Sequence, residues 1–365
     1  MGTFLFNMHE NVYKYATLLA FLIKGTVSCI HGGRSLFFFE NAGFCDMMKM
    51  VYFMDMPLEG FWRKMKLEEV YIRMKLLTYS HGSEYAVGVL KNDGSEVVPV
   101  NYLGFDVTDM NEFLEQQDEE KLAKMDRNKE LMQGIPVGEV QMYAPILYPK
   151  QDIICLGINY YAHAEESARF HNEAFGGDRP EPIYFAKRVN RAVGDGEYID
   201  GHLDIVDSLD YEVELAVVIG KDAKNVQPEE VFDYVFGYTI LNDMSARNLQ
   251  TAHKQWYFGK SLDDFTPIGP VIVTKDEFTN PPALAIRSYI NGELRQDSTT
   301  DLLINSIEKV ICQLSKGMTL AAGTVIAMGT PAGVGMGFQP PKFLKKGDIV
   351  KCEIEGIGTL TNEIK

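Results

Sequence analysis

The alternation of apolar and polar positions divides the chain into unequal stretches. From Met74, "MKLLTYSHGSEYAVGVLKNDGSEVVPV" shows strand-like runs with polar alternation and a turn signal at Gly94, which predicts an opening hairpin. "DMNEFLEQQDEEKLAKMDRNKELMQG" is charged with Leu and Met at helical spacing, and predicts one or two surface helices. "VQMYAPILYPK" reads as an extended connector, because Pro145 and Pro149 oppose helix. Beyond it strands dominate: "IICLGI", "YEVELAVVIG", "VFGYTILND", "IGPVIVT", "IRSYING", "TVIAMG" and "IVKCEIEG". Helical spacing is confined to "YYAHAEESARF", "SARNLQTAHKQ" and "LLINSIEKVICQLSKG". Many strands with few helices predict a β-rich α+β fold, not a doubly wound parallel sheet. A small N-terminal module over residues 74–146 and a larger domain over 151–365 are expected.

Residues 1–73 read differently. They hold eight Lys and Arg against seven Asp and Glu, net +1, which leaves −17 on the remainder of a chain of net charge −16, and they carry eight of the 17 methionines. The apolar run "ATLLAFLI" is too short to span a bilayer. "MGTFLF" has Phe6 where a myristoylation signal needs Ser or Thr. This stretch is expected to be either an atypical extension or upstream sequence read in frame, with the true start at Met74.

The acidic balance argues against a nucleic-acid or anionic-membrane partner, which would need clustered Lys and Arg. Five scattered cysteines without a C-x-x-C pair suggest neither a disulfide framework nor a zinc site, and fit a reducing cytoplasm.

Candidate chemistry begins at "LDYEVELAVVIG". In a strand, Glu212 and Glu214 point to one face, about 6 to 7 Å apart. Either that face is solvated, or it is buried and a cation offsets the two charges. Asp243 closes the strand "VFGYTILND", as a helix N-cap or as a third carboxylate. Oxygen ligands alone would suit Mg2+ or Mn2+. Arg247 and Gln250, three apart on the next helix, are either exposed polarity or a grip on a carboxylate or keto oxygen. Lys260, in "YFGKSLDDFTPIGP", is a solvated loop lysine or a charge for a developing enolate. His163 and Glu166 are neighbours on one helical turn, as an idle pair or as a base and its orienting carboxylate, with Glu165 pointing elsewhere. "MGTPAGVG" places Thr330 in a Gly-rich loop that has neither a P-loop ending nor a dinucleotide fingerprint, and Gly329, Gly333 and Gly335 would let a small ligand approach closely.

Taken in order, "GINYYAHAEE", "LDYEVELAVVIGKDAKNV", "VFGYTILNDMSARNLQ", "FGKSLDDFTPIGPVIVT", "INGELRQ", "MGTPAGVG" and "LKKGDIVKCEIEGIGTL" resemble the fumarylacetoacetate hydrolase family over about residues 151 to 362. A looser similarity reaches back to Met74. The resemblance implies a mixed β-sheet roll as catalytic domain, a homodimer, and Mg2+ or Mn2+ held by the residues matching Glu212, Glu214 and Asp243. It implies that His163 and Glu166 lie on a segment ordering over the metal, that Lys260 contacts substrate, and that Arg247, Gln250 and Thr330 line the pocket. Met328 stands where many relatives carry Thr, which bears on the pocket wall. The expected activity is metal-dependent C–C bond hydrolysis of an acylpyruvate or other 1,3-diketo acid. The alternatives are a decarboxylase or an isomerase of 2-hydroxyhepta-2,4-diene-1,7-dioate type, and, in another class, a non-catalytic keto-acid-binding protein.

Overall fold

The structure, a computed structural model, describes residues 71–171 and 181–365. The expectation for residues 1–73 therefore lies outside the described residues up to Val70. Tyr71–Lys365 forms one compact unit.

The first part supplies β1 (Lys75–Ser80), β2 (Tyr85–Leu90), β3 (Glu96–Pro99), α1 (Met110–Gln116), α2 (Glu119–Asn128), β4 (Ile135–Pro136) and β5 (Gln141–Tyr143). Next come β6 (Ile153–Gly157), α3 (Tyr161–His171), β7 (Ile183–Lys187), β8 (Tyr198–Ile199), β9 (Leu209–Asp210) and β10 (Val213–Ile219). These are followed by α4 (Val231–Tyr234), β11 (Val235–Asn242), β12 (Ser245–Ala246), α5 (Arg247–Ala252) and α6 (Tyr257–Lys260). The last part holds β13 (Ile268–Thr274), β14 (Ala285–Ile290), β15 (Glu293–Thr299), α7 (Ile307–Gly317), β16 (Val325–Ala327), β17 (Ile349–Ile354) and β18 (Gly358–Ile364).

The charged stretch after the opening strands splits into two helices because Asp109 and Asp118 each cap one, accepting from the backbone N–H of Glu112 and Lys121. The helix expected over "SARNLQTAHKQ" is shorter, since Ser245 and Ala246 pair with Asp210 and Leu209 as strands.

An eleven-stranded mixed sheet runs β4-β3-β2-β1-β13-β11-β10-β16-β6-β7, with β5 alongside β1, and β16 and β6 pair in parallel. A five-stranded sheet, β15-β14-β17-β18-β8, is separate from it. The architecture is β-rich α+β, as the strand count suggested. Residues 74–146 extend this large sheet: Lys75 and Leu76 pair with Val273 and Ile272, and the expected connector contributes β5. The ties begin before Met74, where Ile72 N–H donates to Asp276 and Thr274 Oγ1 donates to the Ile72 carbonyl.

Strand β10 is buried on both faces. Val213, Leu215, Val217 and Ile219 join a core shared with Val310 and Ile311 of α7 and with Ile286 and Val350 of the smaller sheet. Ala216 and Val218 join a second core with Phe113, Leu114 and Met125 of α1 and α2. Double burial explains a continuous apolar run where a half-solvated strand would alternate.

Candidate active site

Glu214 projects from β10, whereas Glu212 lies in the break between β9 and β10, not within a strand. Antiparallel register brings Asp243 to them. Val213 pairs with Asn242, Asp243 N–H donates to the Glu212 carbonyl at 2.8 Å, and Asn242 Oδ1 accepts from Glu212 N–H at 3.0 Å. The three carboxylates offer oxygens that all lie within 4.8 Å of one another, and all three residues are buried. Both glutamates are buried, so the solvated alternative for this acidic face does not apply.

Three cations serve these acids. Lys260, ending α6, donates to Glu212 Oε2 at 2.8 Å and to Asp243 Oδ2 at 2.6 Å. Lys187, ending β7 and fully buried, donates to Asp243 Oδ1 at 2.6 Å and to the carbonyls of Met244 and Lys260. Arg247, opening α5, donates through Nε to Asp210 Oδ2 at 2.9 Å and through Nη1 to Gln250 Oε1 at 3.0 Å. Its Nη2 stands 2.6 Å from Glu212 Oε1, an ion pair by distance whose geometry does not make a hydrogen bond.

Burial would raise the Glu212 carboxyl, but Lys260, Arg247 and His163 outweigh it and hold the group well below the usual carboxylate range. Burial would lower Lys260, yet Asp243 and Glu212 outweigh it and keep the ammonium charged. Glu214 differs. It accepts from Gly329 N–H at 2.8 Å and has no ion-pair partner among the described residues. Burial, with Asp243 and Glu212 close by, pushes its carboxyl well above the usual range. One buried acid without a counter-charge, beside two more oxygen donors, fits a hard divalent cation.

The dyad reaches the same cleft from α3. Strand β6 ends at Gly157, Ile158 takes φ 56°, and Asn159 pins the turn by donating to the Met328 and Asn305 carbonyls. His163 and Glu166 are both buried, with Nδ1 3.5 Å from Oε2, while Glu165 is exposed. Glu166 is fixed by Gly333 N–H at 2.9 and 3.0 Å. The glycines after Thr330 make room for the protein's own carboxylates: a Cβ at Gly335 or Gly337 would stand 2.6 Å from Asp210 Oδ1 or 2.5 Å from Glu166 Oε1. At Gly335 the close approach is that of Asp210, and at Gly333 it is that of the Arg295 backbone of β15. Thr330 donates to the Val213 carbonyl and accepts from Gln296, both contacts being buried.

A cleft of about 240 Å³ is lined by His163, Glu212, Glu214, Arg247, Gln250, Lys260 and Thr330 together. Of the nine residues singled out in the sequence, Glu166 and Asp243 stand just behind this lining, each bonded to its neighbour in it. Sequence reasoning missed two residues, Lys187 and Asp210. Asp210 carries the spacing that marked Glu212 and Glu214, and Lys187 is a charge ending the apolar run "IYFAK".

A β-rich fold that buries three clustered carboxylates beside a helix-borne His-Glu pair has the groups of an enzyme active site, and the comparisons give the family. The family described as "Fumarylacetoacetate (FAA) hydrolase C-terminal" matches residues 152–365, and the chain belongs to the fumarylacetoacetate hydrolase family. It is 48% identical over 229 residues to the oxaloacetate tautomerase YisK of Bacillus subtilis (strain 168), covering 62% of this chain and 74% of that protein. A solved fumarylacetoacetate hydrolase from psychrophilic Exiguobacterium antarcticum matches with a TM-score of 0.69 at 35% identity, over 80% of this chain and 99% of that one. Maleylpyruvate hydrolase from Sphingobium sp. SYK-6, solved with manganese (II) ion and pyruvate, matches with a TM-score of 0.63 at 27% identity, over 80% and 98%. Among the described residues, no helix is long and apolar enough to cross a membrane.

Proposed function

We propose that the protein is a divalent-cation-dependent enzyme that moves a proton on a short 2-oxo acid, interconverting the keto and enol forms of oxaloacetate or a close analogue. The observation that carries this reading is that His163, paired with the buried Glu166, lines the same small cleft as Glu212 and Glu214 of the carboxylate cluster. Hydrolysis needs a held water as well, whereas tautomerisation needs only a base and a charge sink. The 48% identity to an oxaloacetate tautomerase supports the same order of preference. The cleft, at about 240 Å³, lies below the usual range of small-molecule sites, which suits a short acid.

Glu212, Glu214 and Asp243 would hold Mg2+ or Mn2+, which would supply Lewis-acid charge to the site. Arg247 and Gln250 orient the acid's carboxylate, and Lys260 shares negative charge that develops on the oxo oxygen. His163, held by Glu166, takes the proton from the carbon beside the oxo group and returns it to oxygen or carbon. A homodimer in the cytoplasm acting on this small molecule completes the reading.

C–C bond hydrolysis of an acylpyruvate is the second reading, supported by the maleylpyruvate hydrolase neighbour. Stopped-flow ultraviolet absorbance of enol-oxaloacetate with Mg2+, with and without chelator, separates them. Chelator-sensitive loss of the enol band without release of pyruvate supports tautomerisation. Fragments from acylpyruvate without any effect on the enol would transfer the assignment to hydrolysis. Carbon dioxide release would indicate decarboxylation, and inertness toward a 2-oxo-acid panel would leave a binding protein.

A further inference from the structure

One side of the cleft is aromatic. Trp256 lies in the turn between α5 and α6, half-buried, and its ring rests against Gly157 at the end of β6. A Cβ at Gly157 would stand 2.7 Å from Trp256 Cη2 and closer still to Cζ3, so any other residue at 157 would lift the indole away. The ring is braced by Phe185 of β7, with centroids 5.3 Å apart at 68°, an edge-to-face arrangement. Phe185 in turn has the Lys260 ammonium 5.1 Å from its centroid. Gly157, Phe185, Trp256 and Lys260 all line the cleft, so an apolar wall runs up to the cation that touches Glu212 and Asp243.

The charged groups of the site recognise the oxo-acid head, which all candidate substrates share. What distinguishes one substrate from another is the carbon chain beyond that head, and such a chain is read by shape. An indole seated on a glycine and braced by a second ring is held from two sides, by the Gly157 backbone and by the Phe185 ring.

Resting on the oxo-acid reading above, we infer that Trp256, seated on Gly157 and braced by Phe185, is the specificity-determining residue that restricts the enzyme to short 2-oxo acids. Its ring is a steric stop to longer acyl chains. Replacing it by a smaller side chain lengthens the space available without touching a charged group.

The test is calorimetric binding of acetylpyruvate, butyrylpyruvate and hexanoylpyruvate to the full chain in Mg2+ buffer, for the natural protein, Trp256→Ala and Trp256→Phe. The natural protein is expected to bind more weakly as the acyl chain lengthens. Trp256→Ala is expected to raise the hexanoyl-to-acetyl affinity ratio by about tenfold or more, with Trp256→Phe in between. Thermal unfolding identifies folded variants, and Trp256→Phe keeps the test open if the alanine variant does not fold. A ratio unchanged in the folded variants would overturn the inference while leaving the oxo-acid reading intact. Failure of the natural protein to bind oxaloacetate as well as all three of these acids would instead overturn the oxo-acid reading on which the inference rests.

Discussion

Asp210 accepts a 2.9 Å hydrogen bond from Arg247 Nε at a point where both side chains are buried. Asp210 also accepts from the backbone N–H groups of Gly335 and Met336, at 2.6 and 3.0 Å. One carboxylate thus ties the arginine of the cleft to the Gly-rich loop. In Asp210→Ala the guanidinium would keep only Glu212 as counter-charge, and three backbone donors, the N–H groups of Tyr211, Gly335 and Met336, would be orphaned. The expected loss is about 3 to 5 kcal/mol of unfolding free energy, the cost of breaking a buried ion pair. Urea unfolding measures it; a loss below about 1 kcal/mol would show that the pair is not holding the loop.

Much of this site was legible because short-range spacing carries into the fold, although Glu212 itself lies just outside β10. Glu212 and Glu214 were marked by spacing of two, and His163 and Glu166 by spacing of three on α3. Asp243 was marked by ending a strand whose register brings it beside Glu212. Asp210 obeys the same spacing, but a single acid beside a turn is usually solvated, and its role comes from Arg247 and from a loop 125 residues away. Lys187 was hidden for a related reason. Its partners, Asp243 and the carbonyls of Met244 and Lys260, are brought to it only by the fold. The fold class followed from the strand runs, whereas the continuity of residues 74–146 with the large sheet rests on the β1–β13 pairing, a long-range contact that local patterning does not encode.

Stability and cation binding are linked through Glu214. Burial, Asp243 and Glu212 hold its folded-state pKa above the ordinary value of 4.5. At this group the cation-free fold therefore binds more protons than the unfolded chain, and its contribution to stability is lost as pH rises through the folded pKa. A divalent cation competes with that proton, so the thermal stabilisation given by Mg2+ is expected to grow as pH rises from the ordinary carboxylate range upward. Glu214→Gln is expected to flatten this dependence. Thermal unfolding across that range, with Mg2+ or with chelator, is the measurement, and a Mg2+ effect independent of pH would count against Glu214 as a ligand.

The base and the cation site are separable. His163 is bonded to Glu166 and to none of the three clustered carboxylates among the described residues. His163→Ala is expected to lower kcat by about a hundred- to ten-thousandfold, the usual contribution of a positioned acid or base. Mg2+ affinity, measured by calorimetry, is expected to stay within a few-fold. Loss of Mg2+ binding in this variant would mean that the imidazole belongs to the cation site.

The orientation of the dyad depends on a residue that carries no chemistry. Glu166 is held by Gly333 N–H, and the space its carboxylate fills is left open by Gly337, where a Cβ would stand 2.5 Å from Oε1 and 2.6 Å from Cδ. Gly337→Ala adds one methyl group at that point. The contact falls on the far end of a flexible side chain, so Glu166 yields while the backbone need not. His163 would then lose the partner that fixes its ring, and a misplacement of about 1 Å in a catalytic group costs about a hundredfold in rate. Gly337→Ala is therefore expected to lose activity to nearly the extent of Glu166→Ala, with a urea midpoint close to that of the natural protein. The two substitutions act on the same contact, so the double variant should be little worse than either alone. Independent losses that multiply in the double variant would show that Gly337 acts on the site by another route.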